Sequence, residues 1–108
     1  MVKVEYSPKA LDDLLHIRDY ITENWGEKVA KEKLRKITID IKRLEQFPLS
    51  GVNLGKIIDV TTDYFYLFTE RNYAFYYLEK DKIRIIRVLN ENQDYIMHLF
   101  GSSVEDKY

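Results

Sequence analysis

The sequence of 108 residues contains no cysteine, only two prolines and four glycines, and its apolar runs are only a few residues long. The absence of cysteine excludes disulfide scaffolds, thiolate metal sites and cysteine nucleophiles. A membrane-spanning helix needs about 20 apolar residues in a row, far more than any run here. The N-terminus also lacks the apolar segment of a signal peptide, so the sequence predicts a cytoplasmic protein without a membrane partner.

The charges are nearly balanced, with 17 Lys and Arg against 18 Asp and Glu and a net charge of −1. A balance of this kind does not indicate an electrostatic nucleic-acid surface. No cluster of metal-ligating residues surrounds His16 or His98, and both are predicted to be solvated; the four single glycines exclude a phosphate-binding loop. The sequence therefore predicts neither a metal site nor a cofactor. The adjacent acids Asp12 and Asp13 are interpreted as a first-turn pair favoured by the helix dipole.

Apolar residues recur with a helical period from position 7 to about position 46. Ser7 followed by Pro8 is typical of a helix N-cap with proline at the first helical position. The first helix is expected to end around Gly26. The second helix is expected to end near Phe47, because Pro48 disfavours helical geometry in the residue before it. Such a short connection predicts an antiparallel hairpin of helices.

From Gly55 onward the apolar period changes to two, and four short runs rich in aromatic and β-branched residues predict strands at 56–60, 64–69, 73–79 and 82–89. The last three are expected to form an antiparallel meander, with strand 73–79 central because both of its faces are apolar. Residues 2–6 predict an edge strand. Asn90 or Asn92 is expected to cap a short helix closed by Gly101, and residues 102–108 are predicted to be a frayed tail. Residues 1–108 thus form one α+β domain, with the hairpin on one sheet face.

Aromatic residues are concentrated in the strands: between positions 64 and 77, eight of fourteen residues are Tyr or Phe. They can form core, since cross-strand aromatic pairs stabilise sheets. Because a helical hairpin covers only one sheet face, they can also form a tyrosine-rich surface that a protein partner covers. Both interpretations stay open. The candidate partner-binding residues are Tyr64, Tyr66, Phe68, Tyr73, Phe75 and Tyr77.

The basic residue that stands out is Arg87, on the last predicted strand. Simple alternation places it on the same face as Ile83, Ile85 and Leu89. It is expected either to point into a groove or to pair with a carboxylate such as that of Asp94, and the ion pair is favoured.

Three stretches together resemble the RelE/ParE superfamily of bacterial toxins. They are VEYSPKALDDL at 4–14 followed by IRDYI at 17–21, LEQFPLSG at 44–51, and RVLNENQDY at 87–95. The resemblance implies the toxin of a type II toxin–antitoxin (plasmid stabilisation) module, neutralised by a cognate antitoxin. It implies attack on either DNA gyrase or mRNA on the ribosome. A homodimer and a toxin–antitoxin hetero-oligomer both remain open.

The closing motif departs from that of the mRNA-cleaving members, which carry His and Arg where this chain has Asn90 and Asn92. The position of their central-strand arginine holds Tyr73. Amide side chains cannot exchange a proton near neutral pH, so only Arg87 and Tyr95 remain as candidate catalytic residues. We therefore expect a gyrase-directed, ParE-like toxin. The alternatives are a metal-independent, ribosome-dependent mRNA endoribonuclease with a reduced active site, and a non-toxic interaction domain on the same scaffold.

Overall fold

The computed structural model describes residues 2–101. Its helices are α1 (Pro8–Trp25), α2 (Glu27–Lys42) and α3 (Tyr95–Phe100), and its strands are β1 (Lys3–Tyr6), β2 (Val52–Asn53), β3 (Phe65–Thr69), β4 (Asn72–Leu78) and β5 (Lys82–Asn90). The sheet order is β1-β5-β4-β3-β2, with β1 parallel to β5 and all other pairs antiparallel. The predicted α+β architecture is confirmed, including the edge position of β1 and the central position of β4.

The helical hairpin forms for the reasons that the sequence indicates. The Ser7 hydroxyl accepts a hydrogen bond from the Ala10 N–H at 3.0 Å and caps α1. Gly26, with φ 94°, closes α1 and leads directly into α2. Helix α2 ends at Lys42 rather than near Phe47, because the chain continues there as a tighter 3₁₀ turn, Arg43–Glu45.

Hydrophobic clusters lie on both faces of the sheet. The hairpin covers the first face, where the buried residues are Ala10, Leu14, Ile37, Ile41, Leu44, Ala74, Tyr76, Ile83, Ile85 and Val88. On the second face, the side chains of Leu54, Phe75 and Leu89 are buried, and α3 packs against them. A strand with two apolar faces is buried only where both faces are covered, which is why β4 occupies the centre.

Two local predictions are wrong. Residues 56–60 do not form a strand: Leu54–Lys56 is a 3₁₀ turn, because the Asn53 carboxamide accepts a hydrogen bond from the Gly55 N–H and starts a helical turn. The strand at this edge is the shorter β2. The cap of α3 is Asp94, whose carboxylate accepts from the Met97 N–H, rather than Asn90 or Asn92.

The closing of α3 at Gly101, in the left-handed conformation, is confirmed. The predicted tail 102–108 lies outside the described residues. No helix within residues 2–101 has the length and apolar character to cross a membrane.

Candidate functional site

A buried ion pair joins α1 to β5. The Arg87 guanidinium donates from Nε and Nη2 to the two carboxylate oxygens of Asp13, at 2.8 and 2.9 Å, and the Val88 N–H donates to the same carboxylate at 2.9 Å. Both side chains are largely buried, with 15% and 10% of their surface exposed. The hydrogen bonds from Arg87 to Asp13 raise the pKa of the guanidinium further. Arg87 is therefore a charged group already neutralised within the chain.

This ion pair confirms one prediction and corrects two others. Arg87 does pair with an acid, but its partner is Asp13, while Asp94 caps α3. Asp13 is not a first-turn residue, because α1 begins at Pro8 and its first turn holds no acid. Its sequence signal was an acid among apolar positions on the inner side of α1. Only the strand packed opposite could reveal the partner.

A β-bulge explains why the predicted facing of β5 is wrong at its end. Phe75 pairs with Arg87 and Tyr76 with Ile85, so that Ile86 is an extra residue without a partner on β4. The extra residue shifts the alternation by one. As a result Ile85 lies under the hairpin, whereas Leu89 lies on the second face. Arg87 pairs with Phe75 and lies two residues before Leu89, so the bulge separates it from the face of Ile83 and Ile85 rather than from that of Leu89, and its guanidinium still reaches Asp13 on α1.

All six candidate partner-binding residues lie together on the second sheet face. They are every second residue of β4 and of the segment 64–68 that leads into β3. Contacts between their rings connect them: the ring centroids of Tyr66 and Tyr73 are 5.1 Å apart, those of Phe68 and Tyr73 5.0 Å, and those of Tyr64 and Tyr77 6.1 Å. Phe75 is fully buried, while Phe68 is 49% exposed. We call these residues (Tyr64, Tyr66, Phe68, Tyr73, Phe75 and Tyr77) the aromatic face.

Helix α3 covers part of the aromatic face from within the chain. The Tyr95 ring lies 5.6 Å from Tyr73 and 5.3 Å from Phe75, and the Phe100 ring stacks on Tyr64 at 5.9 Å. Burial, with smaller contributions from neighbouring phenols, raises the pKa of Tyr95. The sequence did not reveal this internal cover, because a six-residue helix carries little amphipathic signal.

The structure does not bring Arg87 and Tyr95 together. The guanidinium is turned towards α1, whereas the phenol ring packs on the second face, and no hydrogen bond connects the two residues. Asn90 and Asn92 build the turn before α3: the Asn90 N–H donates to Gln93 Oε1 and the Asn92 N–H donates to Asn90 Oδ1. The residues of the closing motif are thus occupied in folding the C-terminal part of the chain.

A groove of about 1080 Å³ lies between the helical hairpin, the β3–β4 turn and the end of β5, and paired Arg87 is one of the residues that line it. Its floor includes apolar residues of α1 and α2, and exposed His16 is on its wall. The β3–β4 turn closes one end with Glu70 and Arg71 at φ 46° and 66°, a conformation that side chains other than glycine seldom adopt. Asn72 beside it is buried, and its Oδ1 has no hydrogen-bond partner within residues 2–101.

Potential metal ligands are scattered over the structure. Across the described part of the chain, no three His, Asp or Glu side chains come together as a group that could hold a metal ion.

Comparison with known proteins identifies the family of the chain. The profile described as "ParE toxin of type II toxin-antitoxin system, parDE" matches residues 4–95. Curated protein sequences give no match. Among solved structures, a chain of "Chromosomal ParDE TA system from P. aeruginosa" is similar with a TM-score of 0.72 at 23% identity, over 83% of this chain and 96% of that chain, which shows the shared fold. The family match spans β1 to the start of α3, and the chain therefore belongs to the ParE toxin family of type II toxin–antitoxin systems.

Proposed function

We propose that this ParE toxin arrests growth by binding an essential enzyme, DNA gyrase, and that a cognate antitoxin neutralises it. The observation that carries the proposal is the engagement of Arg87 by Asp13. Arg87 lines the groove, but the charge of its guanidinium is already balanced by the largely buried carboxylate of Asp13, which holds it through two hydrogen bonds. A toxin built in this way is better suited to binding a target than to cleaving RNA.

Metal-independent RNA cleavage requires a base for the 2′-hydroxyl, a cation for the developing negative charge and an acid for the leaving oxygen. Arg87, the candidate cation, is paired, and Tyr95 is turned to the other face of the sheet. The raised pKa of Tyr95 keeps its phenol protonated at neutral pH, so it cannot serve as the base. These observations disfavour the ribosome-dependent endoribonuclease, which remains the alternative.

We assign antitoxin binding to the exposed part of the aromatic face. Phe68 is 49% exposed although it contacts Tyr73, and the surrounding tyrosines are only half-buried. An apolar patch bounded by hydroxyl groups is typical of a protein interface with aromatic anchors. The family belongs to the parDE toxin–antitoxin system, so the expected partner is a ParD antitoxin. An antitoxin segment that folds as it binds would cover this patch.

The function is tested by adding the purified toxin to DNA gyrase in a supercoiling assay and, in parallel, by mapping mRNA ends in cells after induction. We expect loss of supercoiling with intact mRNA. Codon-positioned mRNA cuts within minutes, without any effect on gyrase, would establish the endoribonuclease instead. Unimpaired growth after induction would favour the non-toxic interaction domain.

The binding surface is tested with Phe68→Ala and with Phe47→Ala as the matched control. Phe47 is 63% exposed, lies in the loop after α2 and is not part of the hydrophobic cluster on the second face. We expect Phe68→Ala to weaken antitoxin binding by roughly tenfold or more, the cost of one aromatic anchor, and Phe47→Ala to leave it unchanged. Equal affinities of the two variants would remove the aromatic face from the interface.

A further inference from the structure

Positive charge is concentrated on α2 and the 3₁₀ residue that follows it. Seven of the seventeen Lys and Arg but only three of the eighteen Asp and Glu lie between Glu27 and Arg43. This segment therefore carries a charge of +4, and the rest of the chain carries −5. The net charge of the whole chain is therefore nearly zero although positive and negative charges are separated along it. The expectation from the sequence that no charged surface exists is correct for the net charge but not for α2.

The cations of the outer side of α2 form a straight row. Lys28, Arg35 and Lys42 are seven residues apart, nearly two helical turns, and Lys31 lies beside them; all four are exposed. We call these four residues the α2 cation stripe. Between Lys28 and Lys42 the stripe extends about 21 Å at 1.5 Å per residue.

Most of the stripe is not paired within the chain. Within the stripe, Lys42 pairs with Glu45 at 3.7 Å; outside it, Lys33 pairs with Glu70, and Lys36 and Arg43 both pair with Asp40. In contrast, Lys28, Lys31 and Arg35 form no ion pair with any residue in 2–101. Lys31 and Arg35 are i,i+4 neighbours of like charge, and exposed Glu32 lies on the same side of α2, four residues after Lys28 and three before Arg35. The four cations outnumber this acid, so the stripe keeps a net positive charge that an anionic partner would complement.

We propose that the α2 cation stripe contacts the phosphate backbone of duplex DNA. Over about 21 Å a duplex presents about twelve phosphate charges, counting both strands. Lys and Arg are the usual phosphate contacts, whereas Lys is depleted at protein–protein interfaces. The stripe has no aromatic side chain, and Ile39 is the only apolar side chain exposed among its four cations, whereas protein interfaces usually centre on aromatic anchors.

Duplex DNA also suits the stripe better than RNA does. Sequence-specific RNA contacts depend on unstacked bases that pack on aromatic rings. Here the aromatic face lies on the second side of the sheet, and α2 packs on the first. A rigid, straight row of cations without rings is suited to a regular backbone of phosphates.

This inference deepens the proposed function and rests on it for its biological role, because gyrase acts on DNA. A stripe that binds DNA next to gyrase would add affinity for the enzyme–DNA complex over the enzyme alone. The DNA-binding measurement itself contains no gyrase. If the toxin does not bind DNA, gyrase inhibition can still be tested in the supercoiling assay. If the toxin does not inhibit gyrase, the DNA-binding result still stands.

The test measures fluorescence anisotropy of a labelled 20-base-pair duplex with antitoxin-free toxin between 50 and 300 mM salt. The stripe variant is Lys28→Gln/Lys31→Gln/Arg35→Gln. The control, Lys3→Gln/Lys56→Gln/Lys80→Gln, makes the same change in net charge at exposed positions elsewhere. Glutamine is a good helix former, so α2 is preserved. We expect the stripe variant to lower affinity by roughly tenfold per cation at 50 mM salt and to reduce the logarithmic salt slope by about 2.7. We expect the control to bind like the unmodified protein.

Three results would overturn the proposal. The first is a stripe variant that binds the duplex no more weakly than the control at 50 mM salt, whether both bind or neither does. The second is displacement of the duplex by poly-glutamate at a lower charge concentration than by unlabelled DNA, which would identify an acidic protein as the partner. The third is a folded RNA bound more than tenfold tighter than the duplex, which would favour the ribosome.

Discussion

Substitution of Asp13 by Ala should be the most damaging single change to a charged residue of this toxin. It leaves the Arg87 guanidinium largely buried without its carboxylate and removes the acceptor of the Val88 N–H. Breaking a buried pair by removing one partner costs about 3–5 kcal/mol. A domain of this size has about 5–15 kcal/mol of unfolding free energy in total, so the variant is expected to lose about a fifth of its stability or more.

Urea unfolding followed by circular dichroism measures this loss, and Asp12→Ala is the matched control. Asp12 is the adjacent acid, but it is exposed and forms no ion pair within residues 2–101. We expect a change below about 0.5 kcal/mol for the control, as for most surface substitutions. A cost below about 1 kcal/mol for Asp13→Ala would refute the view that this carboxylate ties α1 to β5.

A double-mutant cycle separates the ion pair from the backbone bond. In Asp13→Leu/Arg87→Met both charges are replaced by apolar groups, an exchange that is often nearly neutral for a buried pair. The Val88 N–H still lacks its acceptor, so a residual cost of about 1–3 kcal/mol should remain. The double variant should therefore be more stable than Asp13→Leu alone. Additive single costs would show that the two side chains are not coupled.

Three further outcomes are expected. Gly51→Ala should destabilise the fold by about 1–3 kcal/mol in urea unfolding, because a Cβ at this position would collide with the Tyr76 hydroxyl and lie 2.7 Å from the carbonyl oxygen of Tyr66; an unchanged midpoint would contradict this packing. Burial raises the pKa of Tyr6 to about 12, above its ordinary value of 10.0. Stability present below pH 10 should therefore be lost as the pH rises towards 12. The Tyr6→Phe variant should lose less unfolding free energy over this range. Burial opposes the charged form of Asp40, but hydrogen-bond donors and nearby cations stabilise its carboxylate more strongly, so its pKa lies below the ordinary value of 3.8. Stability present above pH 3.8 should therefore be lost as the pH falls below it. Asp40→Asn should flatten this part of an acid titration followed by fluorescence.

Local patterns in the sequence were sufficient for most of the elements. The Ser7–Pro8 cap, the helical spacing of the hairpin and the two apolar faces of β4 depend on near neighbours along the chain, and each prediction is confirmed. Prediction failed where one residue changes the geometry. The carboxamide of Asn53 starts a helical turn within a run that reads as a strand, and the extra Ile86 reverses the side-chain alternation behind it.

The candidate site was less predictable because it depends on contacts between distant parts of the chain. The sequence by itself determined a toxin-like α+β scaffold with an aromatic strand pair and a family match, since composition, periodicity and motif order are properties of the chain. Tertiary structure decided that Asp13, 74 residues away, neutralises Arg87, and that α3 covers part of the aromatic face. It also decided that cations dispersed along α2 align in one exposed row. The physical reason is that charge pairing and burial depend on distances in space, which sequence separation does not fix.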